Sequence, residues 1–258
     1  MTFSKCIFNF LTVGCWNIES IYEKINSVKI CKLDQPAFLE TIKKHDILCL
    51  QETHVSQEES IRNIDGYKIT PHCRGISANN RYFGGMLIFI KSSIEKGVKI
   101  GKKIDEDSLE VTLKKDFFGL SKDRKIIFTY ASPINSPYTI SRTENILDTI
   151  ESKYIDNQGN IIIMGDLNGR TNIEDDFIRD NNDDYSPINT TIYNKDPINS
   201  FPLNRKNTDT NNVDEQGRLI LDLCKSSGMR ILNGRIPGDL RGDFTRYPSN
   251  LCDMPRLD

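Results

Sequence analysis

The sequence predicts an α/β protein built as a two-sheet sandwich with helices outside, and three observations carry that prediction. Apolar runs such as Ile-Leu-Cys-Leu at 47–50 and Ile-Ile-Ile-Met at 161–164 have the length of buried strands. A helical pattern precedes each of them, so strand, helix and strand alternate twice and the chain reads as two similar halves. Between the halves lie short β-type runs separated by polar turns, the mark of antiparallel pairing. With 37% hydrophobic and 9% aromatic residues, a chain of 258 can bury a sizeable core as one domain over 1–258.

Taken in order, Ile7 to Ile18 reads as the first strand. Cys6 to Trp16 is apolar enough for a signal-peptide core, but Asn9 interrupts it and no small-residue cleavage site follows. Gln35 to Lys44 forms a short amphipathic helix, with Asp34 placed to cap it, Pro36 tolerated in its first turn, and Phe38, Leu39 and Ile42 on one face. Asp46 to His54 is a second strand whose apolar body ends in Gln51 and Glu52. Gly66 to Thr70, Gly85 to Lys91, Leu109 to Leu113 and Lys125 to Ala131 follow as strands, with Gly84-Gly85 as a tight entry. Tyr130 falls at the end of the last, a position that also suits an interface tyrosine with its hydroxyl in water.

A helix from Ser141 to Tyr154, with Ser141 and Glu144 as a capping box, leads to the strand Ile161 to Met164, expected to be buried on both faces. Residues 171–216 hold no sustained period and are read as an irregular surface excursion. Its aspartates 175, 176, 180, 183 and 184 lack calcium-loop spacing and read as a solvated acidic loop. Leu219, Ile220, Leu223 and Cys224 form a helical stripe stopped by Gly228. Arg230 to Leu232 and Asp243 to Tyr247 read as brief strands. Leu251 to Asp258 carries no readable element.

A net charge of −2 leaves no global footprint for a polyanion, so nucleic-acid binding would have to come from local patches. Seven cysteines without regular spacing fit buried free thiols in a reducing compartment. No pair is spaced like a zinc site, and no stretch reads as transmembrane.

The stretch that organises the rest is Ile161 to Arg170. Its strand gives out at Gly165 and delivers Asp166 and Asn168, two residues apart on one side of an extended segment, to a sheet edge. A carboxylate and an amide so placed can hold a water and a phosphate oxygen, although Asp-x-Asn by itself also fits a turn closing a strand. Asn17, Glu52 and Tyr130 reach strand ends in the same way.

Taken together, Cys-Trp-Asn-Ile (15–18), Leu-Gln-Glu-Thr-His (50–54), Gly-Gly-Met-Leu-Ile (84–88), Tyr-Ala-Ser-Pro (130–133) and Met-Gly-Asp-Leu-Asn-Gly-Arg (164–170) resemble the endonuclease/exonuclease/phosphatase superfamily in order and spacing. The run from Gly217 to Arg235, with Gly242-Asp-Phe-Thr245, is similar to the endonuclease domain of non-LTR (LINE-type) retrotransposons. The resemblance implies a four-layer α/β sandwich, two packed mixed sheets with helices outside, and magnesium-dependent phosphodiester hydrolysis. It also implies DNA as partner, a covalently linked reverse transcriptase in a longer polyprotein, manganese as an alternative ion, and a nuclear site of action on genomic DNA.

By the same resemblance Glu52 is the metal ligand, Asn17 lies beside the metal, Asp166 positions or deprotonates water, and Asn168 and Tyr130 steady the phosphate. Thr245 is a hydroxyl donor to phosphate. One departure stands out: the family completes its site with a C-terminal aspartate and a histidine, whereas the last histidine here is His72 and the local match of Cys252 to Asp258 is poor. The expectation is therefore a domain incomplete at its C-terminus, lacking its last strands and weak or inactive. The alternatives are a non-catalytic remnant of the fold, or a phosphatase acting on a small phosphoester.

Overall fold

A computed structural model describes residues 11–56, 61–75, 83–136, 145–154, 160–178, 204–236 and 239–243. The chain divides into two compact units, one of Met1–Ser132 with Gly159–Leu167 and the other of Pro133–Gln158 with Asn168–Asp258.

The first unit holds two mixed four-stranded sheets. In one, β1 (Val13–Asn17) runs parallel to β4 (Ile47–Gln51), and β6 (Met86–Lys91) pairs antiparallel with both β4 and β5 (Tyr67–His72). The helix α1 (Pro36–Lys43) makes the crossover between β1 and β4 that the strand-helix-strand spacing predicts. In the other sheet, β7 (Val98–Asp105), β8 (Ser108–Leu113) and β9 (Arg124–Thr129) form an antiparallel meander, and β10 (Ile161–Met164) lies parallel to β9.

The period of two in β4 explains why all five of its residues are buried. Ile47 and Cys49 face inward with Ile88, Val111, Ile126 and Phe128, forming the core between the sheets. Leu48 and Leu50 face outward and pack with Leu87, Phe89, Phe38 and Ile42 under α1. The mixed two-sheet α/β architecture expected from the sequence is the one observed.

Several boundaries differ from expectation for local reasons. Asp34 does not cap α1: it ends a 3-10 turn, Lys32–Asp34, so Gln35 becomes the N-cap without a side-chain bond and Pro36 opens the helix. A hairpin of β2 (Tyr22–Ile25) and β3 (Val28–Cys31) turns at Asn26 and Ser27, both at positive φ, without the glycine that usually signals such a turn. β7 and the one-turn helix α2 (Lys115–Phe118) were likewise not anticipated. β10 is not buried on both faces: it ends the order of its sheet among the described residues, and Ile162 is 42% exposed.

In the second unit, α3 (Ile146–Tyr154) lies beside α4 (Glu215–Ser227). Asp214 caps α4, accepting from the Gly217 amide at 2.7 Å, and Gly228 ends it in the left-handed conformation. The capping box at Ser141 and Glu144 lies outside the described residues, as do Asp180, Asp183 and Asp184.

Asp176 overturns the reading of a solvated acidic loop. It is buried, forms a bidentate pair with Arg235, and accepts from the Ile231 amide at 2.7 Å. Arg230 to Leu232 consequently forms no strand, because part of its backbone bonding goes to that carboxylate. Cys15, Cys49 and Cys224 are free thiols, as the irregular spacing predicts. No described helix is long and apolar enough to cross a membrane.

Candidate active site

The site begins where β1 and β4 end together. Their parallel register sets Asn17 opposite Gln51, and the chain beyond continues the ladder: Ile18, Ser20 and Ile21 donate to the carbonyls of Gln51, Glu52 and Thr53 at 2.7–3.0 Å. Glu52 sits at φ +53° and His54 at φ +55°, left-handed conformations that are uncommon for such residues and that turn the strand end out of the sheet plane. The result is contact between Asn17 Nδ2 and Glu52 Oε1 at 2.6 Å.

Asp166 arrives from the other sheet. Gly165, at φ +152°, presses so close to β9 that a Cβ there would stand 1.8 Å from the Thr129 carbonyl oxygen, so only glycine fits. Gln51 then joins the two sheets: its Nε2 donates to the Thr129 carbonyl at 2.8 Å and its Oε1 accepts the Asp166 amide at 2.9 Å. The Ala131 amide donates to the Asp166 carbonyl at 2.9 Å. So held, Asp166 Oδ2 accepts from Asn17 Nδ2 at 3.0 Å. One amide thus bridges two carboxylates that lie 114 positions apart in the sequence.

Tyr130 completes the cluster. Its amide donates to the Asp107 carbonyl at 2.8 Å, and its phenol stands close enough to Glu52 to feel its charge. Burial, then the charge of Glu52, raises the phenol well above the usual tyrosine range and keeps it a donor. Glu52 moves the other way: the imidazole of His54, 3.7 Å from Oε2, together with Asn17 and Tyr130, outweighs burial and lowers its carboxyl to about 2. Glu52 is therefore ionised throughout the ordinary pH range.

Of the five residues expected to converge, Asn17, Glu52, Tyr130 and Asp166 do so within the first unit. Asn168, at φ +47°, belongs to the second unit, and Thr245 lies outside the described residues. Sequence reasoning gave no role to two residues of the site. Gln51 was visible only as the polar neighbour of Glu52, and His54 only as part of a motif. The other histidines are engaged elsewhere, His45 with the Thr41 carbonyl at 3.0 Å and His72 with the Asp105 carbonyl at 3.1 Å.

The donor set fits a hard dication. Glu52 and Asp166 offer carboxylate oxygen, while Asn17 Oδ1 also accepts the Glu19 amide at 3.1 Å, and magnesium needs only one or two carboxylates when substrate and water supply the rest. No group of three or more His, Cys, Asp or Glu residues that could hold a metal ion occurs among the described residues.

Two mixed sheets thus present a carboxylate pair, an amide and a phenol at their joined ends. The chain belongs to the Endonuclease/Exonuclease/phosphatase family, whose model matches residues 14–232. Members of that family are generally hydrolases of phosphoester bonds. Among solved structures the chain is similar to an AP endonuclease from Archaeoglobus fulgidus, with 16% identity and a TM-score of 0.41. That match covers 65% of this chain and 62% of the other, less than two thirds of its length. No curated protein matches the chain.

Proposed function

We propose that this chain is a magnesium-dependent DNA endonuclease domain of the retrotransposon type, which nicks DNA by hydrolysing a phosphodiester bond. The observation that carries the reading is the Asn17 amide set between Glu52 and Asp166 at 2.6 and 3.0 Å. Glu52 and Asn17 would hold the ion, with manganese as a substitute. When bound, the ion supplies positive charge against the negative charge that develops on the phosphate.

The protein's own groups do the rest. Asp166, fixed through its backbone by Gln51 and Ala131, orients the attacking water and accepts its proton. Tyr130, kept protonated, and Asn168 donate hydrogen bonds to the phosphate oxygens, and Thr245 adds a hydroxyl. Attack in line with the leaving oxygen leaves a single-strand nick. The retrotransposon-like run at 217–235 with 242–245 favours DNA over a small phosphoester, a linked reverse transcriptase as partner, and action in the nucleus.

Supercoiled plasmid and an inositol phosphate, incubated side by side with magnesium, test this. The expected result is nicked circles from the plasmid, none after chelation, and a loss of about 100- to 1,000-fold in Glu52→Gln and Asp166→Asn. Phosphate release from the inositol phosphate without nicking would replace the nuclease by a phosphatase. Activity on neither substrate would end the enzymatic reading.

A further inference from the structure

We propose that Arg74 is a positioning residue for the candidate active site, holding the Tyr130 ring beside Glu52 through a guanidinium that Asp107 and Ser132 fix in place. The inference rests on Tyr130 being a phosphate-binding group, and it adds a residue that no motif identifies.

Arg74 follows β5 and is only 4% exposed, a burial that arginine tolerates only when paired. Its Nε pairs with the carboxylate of Asp107, which is 1% exposed, and its Nη2 donates to Ser132 Oγ at 3.0 Å. Asp107 stands just before β8, and Ser132 lies two residues beyond Tyr130. The guanidinium carbon lies 5.6 Å from the centre of the Tyr130 ring, within the range of cation–π attraction. The Asp107 carbonyl also accepts the Tyr130 amide at 2.8 Å. Tyr130 is therefore gripped twice from Asp107, once through its backbone and once through Arg74 on its ring.

Two physical points argue against a merely stabilising ion pair. Burying two charges costs about as much as their attraction returns, so stability alone gives little reason for the pair. The chain has also cleared a slot for it. Gly84, at φ +67°, lies against the guanidinium, and a Cβ there would meet Arg74 Nε and Cζ at 2.6 Å. The Gly84-Gly85 step of the family motif thus leaves room for this side chain. A lysine would keep the charge, but it lacks the planar fork that reaches Asp107 and Ser132 while covering a ring.

The test uses Arg74→Lys and, to avoid stranding the Asp107 charge, the double variant Arg74→Met with Asp107→Asn. The whole chain is labelled with 3-fluorotyrosine, and the Tyr130 line is identified by its loss in Tyr130→Phe. The expected result is a displaced and broadened 19F line for Tyr130 in both variants. In the plasmid assay, Arg74→Lys should lower kcat by about 10- to 100-fold with KM little changed, as a misplaced group does.

The same substitution in a Tyr130→Phe background should cost nothing further. An unmoved Tyr130 line, even with a lowered melting temperature, would overturn the proposal, and so would losses that multiply in the double mutant. If the parental chain and Glu52→Gln are equally inert on DNA, the nuclease reading fails by itself. The 19F line still decides whether Arg74 holds Tyr130.

Discussion

Glu52 shows how much chemistry one residue gains from neighbours the chain brings from afar. Its carboxyl is held at about 2 by His54 first, then by Asn17 and Tyr130, against an ordinary glutamate value of 4.5. A carboxyl lowered on folding contributes stability that is fully present above its unfolded value and is lost as pH falls towards its folded one. Denaturation by urea, followed from pH 4.5 down to pH 2, should therefore show a falling midpoint in the parental chain and a shallower fall in Glu52→Gln. Equal slopes would mean that the contacts to Glu52 do not favour its ionised form. At this scale the sequence showed polar residues at strand ends, and Asn17 and the Asp166-x-Asn168 pair also fitted an ordinary turn. Asn17 became more than a turn residue only when the register of β1 and β4 set it against Glu52.

The strand-to-turn step at Gly165 is the element on which the position of Asp166 depends. A side chain there has no space, since the Thr129 carbonyl oxygen stands 1.8 Å from the Cβ position. Gly165→Ala should destabilise the chain by several kcal/mol, at the upper end for single substitutions, and abolish hydrolysis along with it. Near-normal thermal melting would contradict that packing. At the start of α4, Asp214 serves two amides, those of Gly217 at 2.7 Å and Arg170 at 3.0 Å. Asp214→Ala should cost about 1–2 kcal/mol in equilibrium unfolding, the upper range for a lost N-cap. The helical stripe at 219–224 was legible from its period, but its first turn was not. Asp214 sits in a polar stretch where many aspartates look alike.

On the scale of the molecule, stability comes from distinct buried clusters. In the first unit, Phe128 stands fully buried between the sheets, and Phe128→Ala should cost about 3–5 kcal/mol through the cavity it leaves. In the second, Asp176→Asn would strand Arg235 without its partner, for a loss of about 3–5 kcal/mol by chemical denaturation. Replacing the pair together by apolar residues of similar volume should recover much of that loss. A small effect of Asp176→Asn would mean that water reaches Arg235 readily.

The sequence by itself determined the class of fold and most of its strands, because burial imposes a period of two on strands and an amphipathic stripe on helices, and both can be read within a few residues. It also placed Asn17, Glu52, Tyr130 and Asp166 at strand ends. Tertiary structure alone decided that these ends meet, that Gln51 ties one sheet to the other, and that Asp176 and Arg74 are buried partners rather than surface charges. Asn17 and Asp166 are separated by 149 positions, and no local pattern encodes a hydrogen bond over that distance. Sheet register and the packing of one sheet on the other set it, and both are properties of the folded chain.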